Sequence, residues 1–111
     1  MTKVEINAGI CGFTTLVTAE SQAPYTAGFH LETNCPNWQK VEEKLGGESL
    51  NMMTELFKDK ATGKLNSRVL DVSLATIPHV SCPVISGLLK ALEVSSGLAL
   101  PKNASIMFRE E

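Results

Sequence analysis

The sequence predicts an α+β domain: a three-strand antiparallel meander followed by three to four helices packed on one face, with a C-terminal strand as an optional addition. Three observations carry this. Apolar and polar residues alternate with period two in the early part of the chain, the spacing becomes helical after Asn34, and the connections between the early runs are short. Strands first and helices second is the order of an α+β fold with its helices on one side of the sheet. A chain of 111 residues is one domain by length, residues 1–111.

The elements follow in order. Lys3–Asn7 alternates, with Val4 and Ile6 on one face. Phe13–Ala19 is rich in Thr, Val and Leu, which suit a pleated surface, and Gly9 and Gly12 bracket the turn before it. Ser21–Pro24 supplies a second turn, after which Tyr25, Ala27, Phe29 and Leu31 alternate with polar or small neighbours as a third strand. Trp38, Val41 and Leu45 then recur at helical spacing, Gln39–Lys44 fill a wet face, and Gly46 and Gly47 end the helix. Ser49 is expected to cap a short second helix in which Leu50, Met53 and Phe57 share a side. Leu65, Val69 and Val72 suggest a third helix that ends before Pro78. The last helix, from about Pro83 to Ser96, is apolar around much of its circumference and is therefore expected to be buried; Gly97 stops it and Pro101 blocks continuation. Ala104–Phe108 is compatible with one more strand, Ile106 and Phe108 inward.

Composition narrows the function classes. Net charge is −2, there is no basic run, and only five aromatic residues accompany the single Trp38, so neither a phosphate-binding stripe nor a base-stacking platform is supplied and no nucleic-acid partner is expected. The N-terminal residues lack the cationic start and apolar stretch of a secretory signal, and no run approaches the ~20 apolar residues of a membrane span. The expected location is the cytoplasm, with no membrane partner. In that compartment three cysteines, an odd number, suit thiols or metal ligands better than a disulfide framework.

The positions of the cysteines are the most informative feature. In "SCPVISGLLKAL" Cys82 precedes Pro83, a residue suited to the first turn of a helix, so Cys82 is expected at the N-cap. In "NCPNWQK" Cys35 stands in the same relation to Pro36. Unpaired N–H groups and the positive end of a helix dipole favour thiolate over thiol at both places. Cys11, in "NAGICGF", belongs to a loop whose glycines leave N–H groups free to bond a metal-bound sulfur. A loop and two helix starts at one end of a layered domain can converge. Three thiolates want a fourth ligand, and His79, three residues before Cys82, is the nearest candidate. Cys₃His suits zinc, and soft sulfur also suits an iron–sulfur cluster.

These residues resemble the U-type iron–sulfur scaffold proteins, in which one cysteine opens a strand, one opens the helix after a three-strand meander, and one opens a long late helix. "CGF" at Cys11, "NCP" at Cys35 and "SCPVISGLLKAL" at Cys82 stand in that order across roughly residues 3 to 96. The resemblance implies the same architecture and a three-thiol pocket. The scaffold's aspartate after Cys-Gly is Phe13 here, and Ser81 occupies the place of its histidine, so cluster donation is not implied. Ser81, Cys82 and Pro83, followed by Lys90, Ala91 and Leu92, also resemble a small family named for a Thr-Ser-Cys-Pro-Asp motif. The chain as a whole is similar to a small protein family with no assigned activity.

Three functions remain open at this point. The first is a metal- or cluster-binding module using Cys11, Cys35 and Cys82, with His79 as fourth ligand. The second is a thiol enzyme or redox protein with Cys82 as the reactive thiolate. The third is a non-catalytic interaction protein, with a protein partner and incidental cysteines packed as small buried hydrophobes.

Overall fold

The computed structural model describes residues 1–110. Three long strands form the meander: β1 (Thr2–Asn7), β2 (Thr14–Ala23) and β3 (Thr26–Thr33), each antiparallel to the next. Helix α1 (Pro36–Leu45) follows, then a two-residue strand β4 (Leu50–Asn51) that pairs with the start of β3 and completes a sheet of order β1-β2-β3-β4. A single turn α2 (Met52–Glu55), α3 (Arg68–Thr76) and α4 (Val84–Ser95) complete the regular structure. The fold is the expected α+β arrangement, meander first and helices after.

Period-two patterning makes the sheet one-sided. Val17 lies between Val4 and Leu31, and Ala19 is opposite Phe29, on a face that is buried beneath the helices. Lys3, Glu5, Glu20, His30 and Glu32 project from the other face into solvent. Helix α4 lies across β1 and β2 and reaches β3; its Val84, Leu88, Ala91 and Leu92 are fully buried. Gly87 is the point of closest approach, because a Cβ there would run into the side chain of Ile6. Gly97, at φ +76°, ends α4, with Leu98 N–H donating to Glu93 C=O at 3.0 Å.

Helix α1 packs on β3 and α3 and also completes β3's free edge. Beyond β4 three backbone groups of that edge find partners from α1 or its C-terminal turn. Gly47 N–H donates to Phe29 C=O at 2.8 Å, and Leu31 N–H donates to the Glu42 carboxylate at 2.8 Å. Gln39 Nε2 donates to Thr33 C=O at 2.8 Å. Gln39 and Glu42 therefore are not part of a purely solvated face, as periodicity alone suggested. His30, on the polar face of β3, is exposed, and its Nδ1 meets Glu42 at 2.7 Å.

The structure differs from the sequence reading in four further places. Strand β2 runs on to Ala23 through a bulge, so the turn is Pro24-Tyr25, with Tyr25 left-handed at φ +58°. Leu50 is a strand residue paired with Ala27; α2 starts later and is capped by Asn51, whose side chain accepts from Met53 N–H. Met53 and Phe57 are exposed. Helix α3 begins at Arg68 behind a Ser67 cap and leaves Leu65 outside. Residues 101–110 form no strand, and Ile106 and Phe108 are 83% and 102% exposed rather than inward.

The long connection between α2 and α3 is fastened by a buried carboxylate. Glu55 is 3% exposed and accepts from Ser67 Oγ at 3.0 Å, Arg68 N–H at 3.1 Å and Val69 N–H at 2.8 Å. It thus satisfies two N-terminal donors of α3, while Ser67 Oγ takes a third from Leu70 N–H at 3.2 Å. Arg68 turns outward and forms a two-pronged pair with Glu48 at 2.9 and 3.3 Å. That hydrogen bond raises the guanidinium pKa still further, so Arg68 is charged at every working pH.

Two outcomes are expected from urea unfolding. Glu55→Ala strands two buried N–H donors and a hydroxyl and lowers stability by about 3 kcal/mol, whereas Ser67→Ala costs about 1 kcal/mol. Gly87→Ala destabilises by roughly 1–2 kcal/mol, because overpacking against Ile6 outweighs the gain in helix propensity. In an Ile6→Ala background the same change is neutral or stabilising, and additive effects in this pair would show that the contact is not what fixes Gly87.

Candidate functional site

One end of the domain gathers the loops that precede β2, α1 and α4. Cys11 lies in the β1–β2 turn, closed by Ala8 N–H to Phe13 C=O at 3.0 Å and Gly12 N–H to Gly9 C=O at 2.9 Å. Gly9 and Gly12 both take positive φ, +90° and +77°, which this tight reversal requires. Cys11 is exposed, and it belongs to the turn rather than to the strand, which starts at Thr14.

Cys35 is the N-cap of α1, with extended backbone at φ −71°, ψ 118° and Pro36 as the first helical residue. Its C=O accepts from Gln39 N–H at 3.0 Å, and its own N–H donates to Thr33 Oγ1 at 3.1 Å. Thr33 Oγ1 in turn meets Thr15 Oγ1 at 2.9 Å, so the end of the sheet and the start of the helix are joined through one hydroxyl pair. The Cys35 side chain makes no cap hydrogen bond. Cys35 is half-buried and packs against the core.

Cys82 stands one residue earlier relative to its helix than expected. The N-cap of α4 is Pro83, whose C=O accepts from Gly87 N–H at 3.1 Å. Pro83 has αR geometry, φ −70° and ψ −9°. Cys82 is half-buried and packs, like Cys35, against the core. His79 is exposed, in the irregular segment between α3 and α4.

All four of these residues line one hollow of about 220 Å³. Phe13, Asn37, Trp38, Ile77 and Pro78 complete its walls. Trp38 is a core residue, 2% exposed, and forms part of the lining as well. As the chain stands, no three His, Cys, Asp or Glu side chains among the described residues converge closely enough to hold one metal ion. The hollow therefore brings the donors to a common cavity without closing them into a coordination shell. Sequence reasoning missed Phe13, Asn37, Ile77 and Pro78 as lining residues. Ile77 and Pro78 carry no functional signature, being simply the residues that end α3. Asn37 follows a helix-starting proline and looks like an ordinary first-turn residue.

Among the described residues no helix is long and apolar enough to cross a membrane. No curated protein and no solved structure matches the chain. The model of one family, a family of unknown function designated DUF6951, matches residues 2–108. That match spans the meander, every helix and the C-terminal segment through Phe108, and the chain belongs to this family.

Proposed function

We propose that the protein binds a metal ion or an iron–sulfur cluster in the hollow, through Cys11, Cys35 and Cys82 with His79 as fourth ligand. The observation that carries the reading is the meeting of these four residues, separated by up to 71 positions in sequence, at the wall of one cavity. Three sulfurs and an imidazole form a soft donor set suited to zinc or to iron–sulfur chemistry. A volume of about 220 Å³ is several times the roughly 30 Å³ share of a water molecule, so space does not exclude an ion. The order of the cysteines resembles that of the U-type scaffolds, and a scaffold-like role in holding a cluster is the finer form of the proposal. Thiolate ligands suit a reducing compartment such as the cytoplasm.

Exposure differs among the ligands. Cys35 and Cys82 pack on the core and act as the fixed pair. Cys11, on an exposed turn between two positive-φ glycines, and His79, on an exposed segment, are the arms that close on the ion. The protein's residues hold the metal, deprotonate on binding it, and exclude water with the Trp38 and Phe13 walls. The alternative of Cys82 as a catalytic nucleophile has less support, because the described hydrogen bonds include none that joins its sulfur to a base or orients His79.

The test is anaerobic purification followed by metal analysis and, for the apoprotein, titration with zinc or iron and sulfide. Near one equivalent of zinc, or of cluster with sulfur-to-iron absorption, is expected, with proton release and affinity that falls as pH is lowered. Each Cys→Ser change is expected to weaken binding at least tenfold. Without metal, an alkylating reagent modifies exposed Cys11 before Cys35 and Cys82; with metal, all three are protected. A protein that takes up neither ion, and whose alkylation pattern ignores added metal, ends this reading.

A further inference from the structure

The C-terminal segment and the outer edge of the sheet each lack a partner. Beyond Pro101 every described residue is exposed, and Ile106, Met107 and Phe108 stand 83%, 79% and 102% exposed in succession. An apolar run held in water is costly, and soluble monomers seldom carry one that has no role. The family match reaches residue 108, so the run belongs to the part of the chain shared with the family. Its pattern is that of a strand: Ala104, Ile106 and Phe108 fall on one face, Ser105, Met107 and Arg109 on the other.

The sheet offers one matching vacancy. The β3–β4 edge is dressed by α1, as described above. Strand β1 is the other edge, and it pairs only with β2. Val4, an inner-face residue of β1, is only half-buried, whereas its cross-strand neighbour Val17 is fully buried. The core is therefore left incompletely covered on the β1 side. An unpaired edge strand with a half-exposed apolar inner residue is a template for strand addition.

We propose that residues Ala104–Phe108 of one copy add as an antiparallel strand to β1 of a second copy, giving a reciprocal dimer. The second copy is the occupant because the exposed segment and the open β1 edge belong to the same chain and match in face and charge. Register follows from the side chains. With Ala104 opposite Ile6, Ile106 opposite Val4 and Phe108 opposite Thr2, the inner faces continue one another, and Lys3 and Glu5 face Met107 and Ser105. A slide of two residues one way sets Arg109 against Lys3, a like-charge pair; the other way carries Phe108 past the start of β1. The thiol hollow lies at the loop end of the sheet and plays no part in this contact.

Light scattering after size exclusion, over a range of protein concentrations, tests the proposal. The full chain is expected to move from one to two chain masses as concentration rises. A chain ending at Pro101, and the pair Ile106→Asp with Phe108→Asp, should stay at one chain mass with unchanged far-ultraviolet circular dichroism, since the segment is exposed and forms no helix or strand in the single chain. Amide exchange in Thr2–Asn7 should slow in the full chain at high concentration and not in the truncated one. A full chain that stays monomeric overturns the proposal, as does a dimer that survives truncation. Protection of β1 that is independent of concentration would instead mean that the chain's own segment folds back, and this too overturns it.

Discussion

The edge of β3 is the constraint on which the rest of the architecture depends. A strand at the side of a sheet carries backbone donors and acceptors that need partners, and β4 is only two residues long. Helix α1 meets the remainder with Gln39, Glu42 and the turn at Gly47, which reach Thr33, Leu31 and Phe29 in turn. Those bonds fix the helix along the strand and leave little choice in its rotation. Val41 and Leu45 then face the core, and Trp38 is held beneath the hollow. Cys35, at the start of the same helix, is tied through Thr33 to Thr15 of β2. One edge thus sets both the packing of the first helix and the place of one thiol.

The second helix on the sheet is placed by a steric condition. Gly87 lets α4 descend onto Ile6 of β1, close to the turn that carries Cys11. Because α4 begins at that same end, Cys82 is brought beside the β1–β2 turn. The α2–α3 connection is held separately, by the buried carboxylate of Glu55 at the start of α3, and the end of α3 supplies Ile77 and Pro78 to the hollow. Hydrogen bonding at an edge, a missing Cβ and a buried carboxylate are different forces, yet their products meet in one cavity. Two core-packed thiols and two exposed arms are the physical basis of the ligand-closure reading.

Much of the fold was legible because burial imposes a period on the sequence. The three strands and α4 were readable from Val4 and Ile6, from Ala27, Phe29 and Leu31, and from the apolar residues of Val84–Leu92. Failures fell where an apolar pattern had no local cause to choose between helix and strand. Leu50, Met53 and Phe57 have helical spacing, but pairing with Ala27 took Leu50 into the sheet and left the other two outside. Ala104–Phe108 has strand spacing, but a strand exists only with a neighbour to pair with. Glu55 gave no local warning of burial, since its partners lie at Ser67, Arg68 and Val69 across a long loop.

The sequence by itself determined the order of elements, the inner face of each long strand, the helix stops at Gly47 and Gly97, and the position of Cys35 at the start of α1. These follow from local rules: alternation, glycine's freedom at positive φ, and proline's fixed φ with no N–H to satisfy. Only the tertiary structure decided that Cys11, Cys35, Cys82 and His79 border one hollow, and that Gln39 and Glu42 bind a strand instead of water. The reason is that both depend on contacts between residues distant in the chain, whose closeness is set by how α1 and α4 seat on the sheet and leaves no periodic mark in the sequence.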